Sequence, residues 1–189
     1  RRLLYAGLAA GIGAAGLWRW WPEQGIANPC LAALPPHLAD HEIVQAAWSD
    51  LDPDKVWDCH AHLVGSGDSG GGIWVNPDMQ SLLHPLQYAQ RLFYLNAACV
   101  RDVPGQVDRS YIERMRDLID GMKPGVKLIL LAFDYSYRED GTVSPDTTSF
   151  HTPNEYARRV AAFFPGHFEW AASIHPYRSD GVTALKQAR

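Results

Sequence analysis

The chain has 189 residues, of which 47% are hydrophobic and 11% aromatic, so it can bury a core of ordinary size. Its formal net charge is −4 at pH 7. An acidic balance argues against broad nucleic-acid binding, which requires a basic face that neutralises phosphates.

The first 21 residues differ in composition from the rest of the chain. Arg1 and Arg2 precede an uncharged run at positions 3–18, and Trp20 and Trp21 follow that run. A positive flank, an apolar stretch and an aromatic border are typical of a signal peptide or a short membrane anchor. We therefore expect residues 1–21 to form a hydrophobic helix, so that the protein is exported or membrane-anchored, at the inner membrane or in the periplasm of a bacterium.

Residues 22–55 have the composition of a linker. Five prolines punctuate this segment, and Gly25 and Asn28 add turn propensity. Within it, the sequence HEIVQAAW at positions 41–48 predicts one short amphipathic helix.

A regular alternation of strand and helix patterns begins at residue 56. Strand patterns cover residues 56–63, 126–133 and 168–174, and helical patterns cover residues 86–100, 110–122, 152–164 and 180–188. Ser110 and Glu113 have the spacing of a capping box at the start of the second helix. This order implies a parallel sheet with helical crossovers. The continuous apolar run at 126–133 predicts a strand buried on both faces.

Two other features receive simple interpretations. The glycine-rich segment 65–72 lacks the Gly-Lys-Ser/Thr ending of a phosphate-binding loop and is interpreted as a flexible flap. Cys59 and Cys99 lie in apolar runs and are interpreted as small core residues.

The first strand carries the most informative motif, VWDCHAHL at positions 56–63. Successive side chains of a strand point to opposite faces, so Asp58, His60 and His62 are expected to share one face. Two imidazoles on one rigid strand can bind a divalent metal together, and a neighbouring carboxylate can orient them. Polar residues also follow the later strands, at Asp134 and His175. Because the carboxyl ends of parallel strands are where sites are built, these two are further pocket candidates.

The Asp58-x-His60-x-His62 motif at the end of a first strand resembles the amidohydrolase superfamily of metal-dependent (β/α)₈ barrels. More narrowly, WDCHAHLVG at 57–65 and FEWAASIHPYR at 168–178 are similar to the bacterial "amidohydrolase 2" type. The resemblance implies that His60 and His62 are metal ligands, with Asp58 supporting them.

The same resemblance implies a partial TIM (β/α)₈ barrel of three to four β/α units at residues 56–189, preceded by the hydrophobic helix. A full barrel takes roughly 250 residues, so the chain is expected to hold the amino-terminal half. The remaining ligands and the catalytic acid/base would then lie beyond Arg189. The fragment alone is therefore expected to be inactive.

The resemblance implies metal-assisted hydrolysis of a small-molecule amide, lactone or ester. The expected cofactor is a divalent metal, with zinc as the first choice and manganese or nickel as alternatives. The alternatives are a decarboxylase of the same superfamily, a TatD-like metal-dependent nuclease, and a non-catalytic, membrane-tethered binding module. The expected partners are a small-molecule substrate and, through the N-terminal segment, a membrane. The sequence leaves the substrate and the oligomeric state open.

Overall fold

A computed structural model describes residues 28–188 of the chain. The hydrophobic helix expected at residues 1–21 lies outside these residues. The fold below is that of the compact unit that begins at residue 31. Within residues 28–188, no helix combines the length and the apolar character needed to cross a membrane.

The elements follow the predicted alternation. The α-helices are α1 (Pro36–Ala39), α2 (Glu42–Trp48), α3 (Pro85–Ala97), α4 (Val107–Asp120), α5 (Asn154–Phe163) and α6 (Gly181–Gln187). The strands are β1 (Trp57–His62), β2 (Trp74–Val75), β3 (Lys127–Leu131), β4 (Phe150–His151) and β5 (Phe168–Ala171). Single turns of 3₁₀-helix occur at Pro53–Lys55, Pro77–Gln80 and Pro145–Thr147. The predicted strands and helices are thus confirmed, with ends that differ by a few residues, whereas α1, β2 and β4 are not predicted.

The strands form two sheets rather than part of a barrel. β1, β3 and β5 make a parallel sheet in that order, and β2 pairs with β4 in a separate antiparallel sheet. The predicted partial (β/α)₈ barrel is therefore wrong for the described residues. A barrel requires a sheet that closes on itself, whereas β1 and β5 are the open edges of this sheet.

The core lies between one face of the parallel sheet and helices α4 and α5. Leu128 and Leu130 of β3 are buried there, together with Phe168 at the start of β5. The alternate residues of β3 are only half-buried, so the strand is buried on one face and not on both as predicted. The physical reason is that the described elements supply helices to only one face of the strand.

Helix α4 begins three residues earlier than the sequence predicts. Asp68 accepts hydrogen bonds from the backbone N–H groups of Val107 (2.8 Å) and Asp108 (3.1 Å), so it satisfies donors at the helix N-terminus. The predicted capping box is not formed: Ser110 donates to the carbonyl of Val107, and Glu113 pairs with arginines. The cap comes from a loop about forty residues away, which local spacing cannot reveal.

The glycine-rich segment 65–72 is tied to the same helix and is not a free flap. The fully buried carboxylate of Asp108 accepts hydrogen bonds from the amides of Ser66 (2.6 Å), Gly67 (3.1 Å) and Ser69 (3.1 Å), and from the Ser69 hydroxyl (2.6 Å). Gly65 is required for this arrangement, because a Cβ there would lie 2.2 Å from Asp108 Oδ1.

The cysteines do not serve as small core residues. Cys59 is an exposed free cysteine on the edge strand β1, and Cys99 is disulfide-bonded, as is Cys30. Burial of Cys59 would need a further strand against β1, and the described sheet ends there.

Candidate two-histidine site

The two histidines of β1 lie side by side at the carboxyl end of the strand. Their Nε2 atoms are 3.1 Å apart, and their ring centroids are separated by 4.9 Å in an edge-on arrangement. His60 is exposed on the open edge of the sheet, whereas His62 is half-buried. The sequence prediction that the two rings share one side of β1 is therefore confirmed.

Asp58 does not join the two rings. In the pairing of β1 with β3, Asp58 lies opposite Leu128 and Ala61 opposite Leu130, so β1 has one extra residue between these pairs. Such a bulge shifts the alternation of faces by one residue. Asp58 thus shares a face with Ala61, while His62 pairs with Leu131 and lies on the other face. The expectation that strict alternation places Asp58 with the histidines is wrong.

The carboxylate of Asp58 instead stabilises the bulge. Its Oδ1 accepts a hydrogen bond of 2.9 Å from the backbone N–H of His60. This contact satisfies a donor that irregular pairing leaves outside the ladder. Asp58 therefore positions the His60 backbone and not its ring.

His62 is held from two sides. The buried hydroxyl of Tyr111, on α4, donates a hydrogen bond to the backbone carbonyl of His62, and burial raises the pKa of Tyr111 to about 12. The ring of Phe133 packs edge-on against the imidazole of His62, with 5.6 Å between the two ring centroids. Burial, and secondarily the charge of His60, lowers the pKa of His62 below its usual value of 6.5. The imidazole is therefore neutral at pH 7, which is the form that binds metals.

The spacing of the two rings fits a shared metal ion. A zinc-bound nitrogen lies about 2.0–2.1 Å from the ion, so two ligand nitrogens are about 2.9–3.4 Å apart at angles of about 90–109°. The observed Nε2–Nε2 distance of 3.1 Å falls in this range. The same distance also fits a hydrogen bond in which one neutral ring donates to the other.

A complete ligand set is not present in the described part of the chain. Among residues 28–188, no group of three or more His, Cys, Asp or Glu side chains could hold one ion. Catalytic zinc sites commonly have three protein ligands and one open position. The Nδ1 atom of His62 is buried without a hydrogen-bond partner, although metal-bound histidines usually donate from this position. The described residues therefore account for two ligands and not for the rest of a catalytic site.

A cavity of about 550 Å³ opens beside His62. It is enclosed by the end of β1, the 65–66 turn, β2, β4 and helices α3 and α4. Most of its lining is apolar, and the residues concerned include Val64, Val75, Met79, Leu95, Val100 and Phe150. Arg91 and Tyr94 of α3 also line it. Its volume is typical of sites that bind small molecules.

Asp134 and His175 are brought together, but in a different cluster. The buried Asp134 carboxylate accepts hydrogen bonds of 3.0 Å from the His175 backbone N–H and from Arg178 Nη1. It also lies 4.0 Å from His151 Nδ1, a buried atom without a hydrogen-bond partner. Burial lowers the pKa of His151, although Asp134 opposes this shift. Asp134 thus joins the segments that follow β3 and β5.

Several residues that form the site are not singled out by sequence reasoning. Tyr111, Arg91 and Tyr94 lie on helical patterns that predict only packing or solvent exposure. The pairing of Arg91 with Asp102, eleven residues later, also has no local signature. A helix face becomes part of a cavity wall only when the tertiary structure places it against β1.

Comparisons with known proteins do not identify the chain. No protein-family model, curated protein or solved structure gives a match. The resemblance to amidohydrolases therefore depends on residues 57–65 and 168–178 alone.

Proposed function

We propose that the protein is a metal-dependent hydrolase of the amidohydrolase type, acting on a small-molecule amide, lactone or ester. The observation that carries the proposal is the pair of Nε2 atoms of His60 and His62, 3.1 Å apart, beside a cavity of about 550 Å³. A metal-binding pair beside a small-molecule cavity is the arrangement that such hydrolysis requires.

In this proposal His60 and His62 supply two ligands for zinc, with manganese or nickel as alternatives. When bound, a divalent metal polarises a carbonyl group and lowers the pKa of a bound water. Tyr111 holds the backbone of His62 in place, and Asp58 does the same for His60. The apolar cavity binds the substrate portion next to the carbonyl and excludes water from it. The ligands that complete the coordination, and the general base, are not among the residues described here.

A second candidate is a non-catalytic module that binds a small molecule. The observation that favours it is that residues 28–188 offer no third side chain to complete a metal site. An apolar cavity can bind a small molecule without any metal. The nuclease alternative gains no support from a mainly apolar cavity wall.

The metal proposal predicts that His60→Ala and His62→Ala each weaken zinc binding by at least about tenfold, because each removes one of the two ring ligands. The measurement is a zinc titration of the metal-stripped 189-residue protein against a chromophoric chelator. His37→Ala is the matched control, because it removes an exposed histidine of α1 and should leave binding unchanged.

Two results would redirect the assignment. Equal zinc affinity in wild type and the double variant would show that these rings are not ligands. In a protein that also carries the completing ligands, zinc bound at the pair without any zinc-dependent hydrolysis of chromogenic ester, lactone and amide substrates would contradict the hydrolase and favour the binding module.

We further propose that the protein is exported or membrane-anchored through residues 1–21. The sequence of that segment supports this, as do the disulfide-bonded Cys30 and Cys99, since disulfides persist in oxidising compartments. Deletion of residues 1–21 is expected to move the protein from the membrane or exported fraction to the cytosol of a bacterial host, as judged by fractionation and immunoblotting. An unchanged distribution would contradict this localisation.

A further inference from the structure

The cavity beside His62 contains a charge that the protein itself neutralises. Among the described residues that line the cavity, Arg91 carries the permanent positive charge. Its guanidinium forms a bidentate pair with Asp102, with N–O distances of 3.0 Å and 2.6 Å. This pair holds the pKa of the Asp102 carboxyl below its usual value of 3.8. The two charges therefore cancel at neutral pH.

Two hydroxyl groups of the wall are also engaged in hydrogen bonds within the protein. The Tyr94 hydroxyl accepts a hydrogen bond from Gln90, and the Tyr111 hydroxyl donates to the carbonyl of His62. A charged ligand would lose its hydration on entering such a site and would find no free partner of opposite sign.

We propose that this cavity binds a neutral, apolar group of aromatic size, and that the Arg91–Asp102 pair makes the site reject anions. The volume of about 550 Å³ and the predominantly apolar lining support this class of ligand. The link to catalysis, in which this group belongs to the hydrolysed substrate, rests on the proposed function. The proposal that the cavity binds such a group does not depend on the proposed hydrolase activity.

The test uses two fluorescent probes that differ by one charged group. N-phenyl-1-naphthylamine is neutral, and 8-anilino-1-naphthalenesulfonate is the same ring system with a sulfonate. The wild-type 189-residue protein is expected to bind the neutral probe at least about tenfold more tightly than the sulfonate. Equal or reversed affinities would overturn the proposal without any variant.

Two variants of one helix locate the binding site. Leu95 lines the cavity, whereas Leu92, on the same helix, does not line it and is 42% exposed. Leu95→Trp should fill part of the cavity and weaken binding of the neutral probe by about tenfold. Leu92→Trp should leave the affinity unchanged. If both variants bind like the wild type, the probe lies on exposed apolar side chains elsewhere and the proposal fails.

The role of the ion pair is tested by Asp102→Asn, which leaves the Arg91 charge without its carboxylate. The affinity for the sulfonate should then rise relative to the neutral probe by at least about fivefold. An unchanged ratio in a variant with a wild-type circular dichroism spectrum would overturn the role of the pair. Because neither probe binds metal, these results and the zinc titration succeed or fail independently.

Discussion

Asp108→Ala is expected to lower the free energy of unfolding by about 3–5 kcal/mol, one of the two largest effects of a single substitution in this protein. The carboxylate is fully buried and accepts four hydrogen bonds from residues 66–69. Alanine would leave these donors without their acceptor, and each unsatisfied buried donor costs about 1–3 kcal/mol. Water that partly enters the space left by the carboxylate would bind some of these donors, so the total cost is expected to be about 3–5 kcal/mol and not the full sum over all donors.

The 66–69 turn and the start of α4 each contribute a carboxylate that binds the backbone of the other. Asp108 binds the 66–69 turn, and Asp68 of that turn binds the first amides of α4. Partial burial alone would raise the pKa of Asp68, but hydrogen bonds from the Asp108 and Val107 amides hold it below 3.8. Loss of either carboxylate therefore loosens both the loop and the helix terminus, including the cavity wall at Ser66 and Val107.

Chemical denaturation monitored by circular dichroism measures this effect, with Asp117→Asn as the control. Asp117 is an exposed aspartate of the same helix, and its replacement should change stability little. Hydrogen exchange should show faster exchange of the residue 66–69 amides in Asp108→Ala. If the stability of Asp108→Ala equals that of Asp117→Asn, the glycine-rich segment is a free flap after all.

Asp134→Ala is expected to destabilise the fold by about 3–5 kcal/mol, because it removes one partner of a buried ion pair. The side chain is 4% exposed, and it accepts from the Tyr135 amide, the His175 amide and Arg178. Its removal leaves Arg178 Nη1 and two amides without this acceptor, whereas Nε and Nη2 of Arg178 keep their bonds to Asp180. Asp134→Asn retains an acceptor oxygen and should lose less.

A double-mutant cycle with Arg178→Met separates the ion pair from the amide contacts. The expected coupling between Asp134 and Arg178 is about 1–3 kcal/mol. Glu155 and Arg158 are the matched control, since they form an ion pair of 2.7 Å on the surface of α5 and should show no measurable coupling. A coupling of zero between Asp134 and Arg178 would show that the buried pair does not stabilise the fold.

This prediction also concerns the role of Asp134. Sequence position alone makes it a pocket candidate, because it follows a strand at the edge where sites are built. In the structure its carboxylate oxygens are occupied by the Tyr135 and His175 amides and by Arg178. A carboxylate engaged in this way joins chain segments, so we assign it a structural role. His175, which contributes its backbone to this contact, belongs to the same cluster.

Most of the secondary structure follows from local sequence patterns. The apolar periodicity at 152–164 predicts the helix found at α5, and the run at 126–133 predicts β3. Such patterns are reliable because a helix or strand is specified largely by residues within a few positions of one another. The proximity of His60 and His62 is equally local, since only one residue separates them.

The sheet and the site depend on contacts that local patterns do not contain. The bulge that moves Asp58 away from the histidines arises from the register of β1 against β3, nearly seventy residues later. The open sheet, in place of the expected barrel, likewise depends on which strands pair. The neutrality of the cavity depends on Arg91 meeting Asp102.

The sequence by itself thus determined the order of the three parallel strands and the longer helices, and the pair of imidazoles on β1. The tertiary structure alone decided the face on which Asp58 lies, the bonding of the glycine-rich loop to Asp108 and the cavity beside His62. The reason is that register, buried hydrogen bonds and cavity walls depend on free energies of contact between distant segments. Those contacts exist only once the chain has folded, and residue spacing within one segment does not specify them.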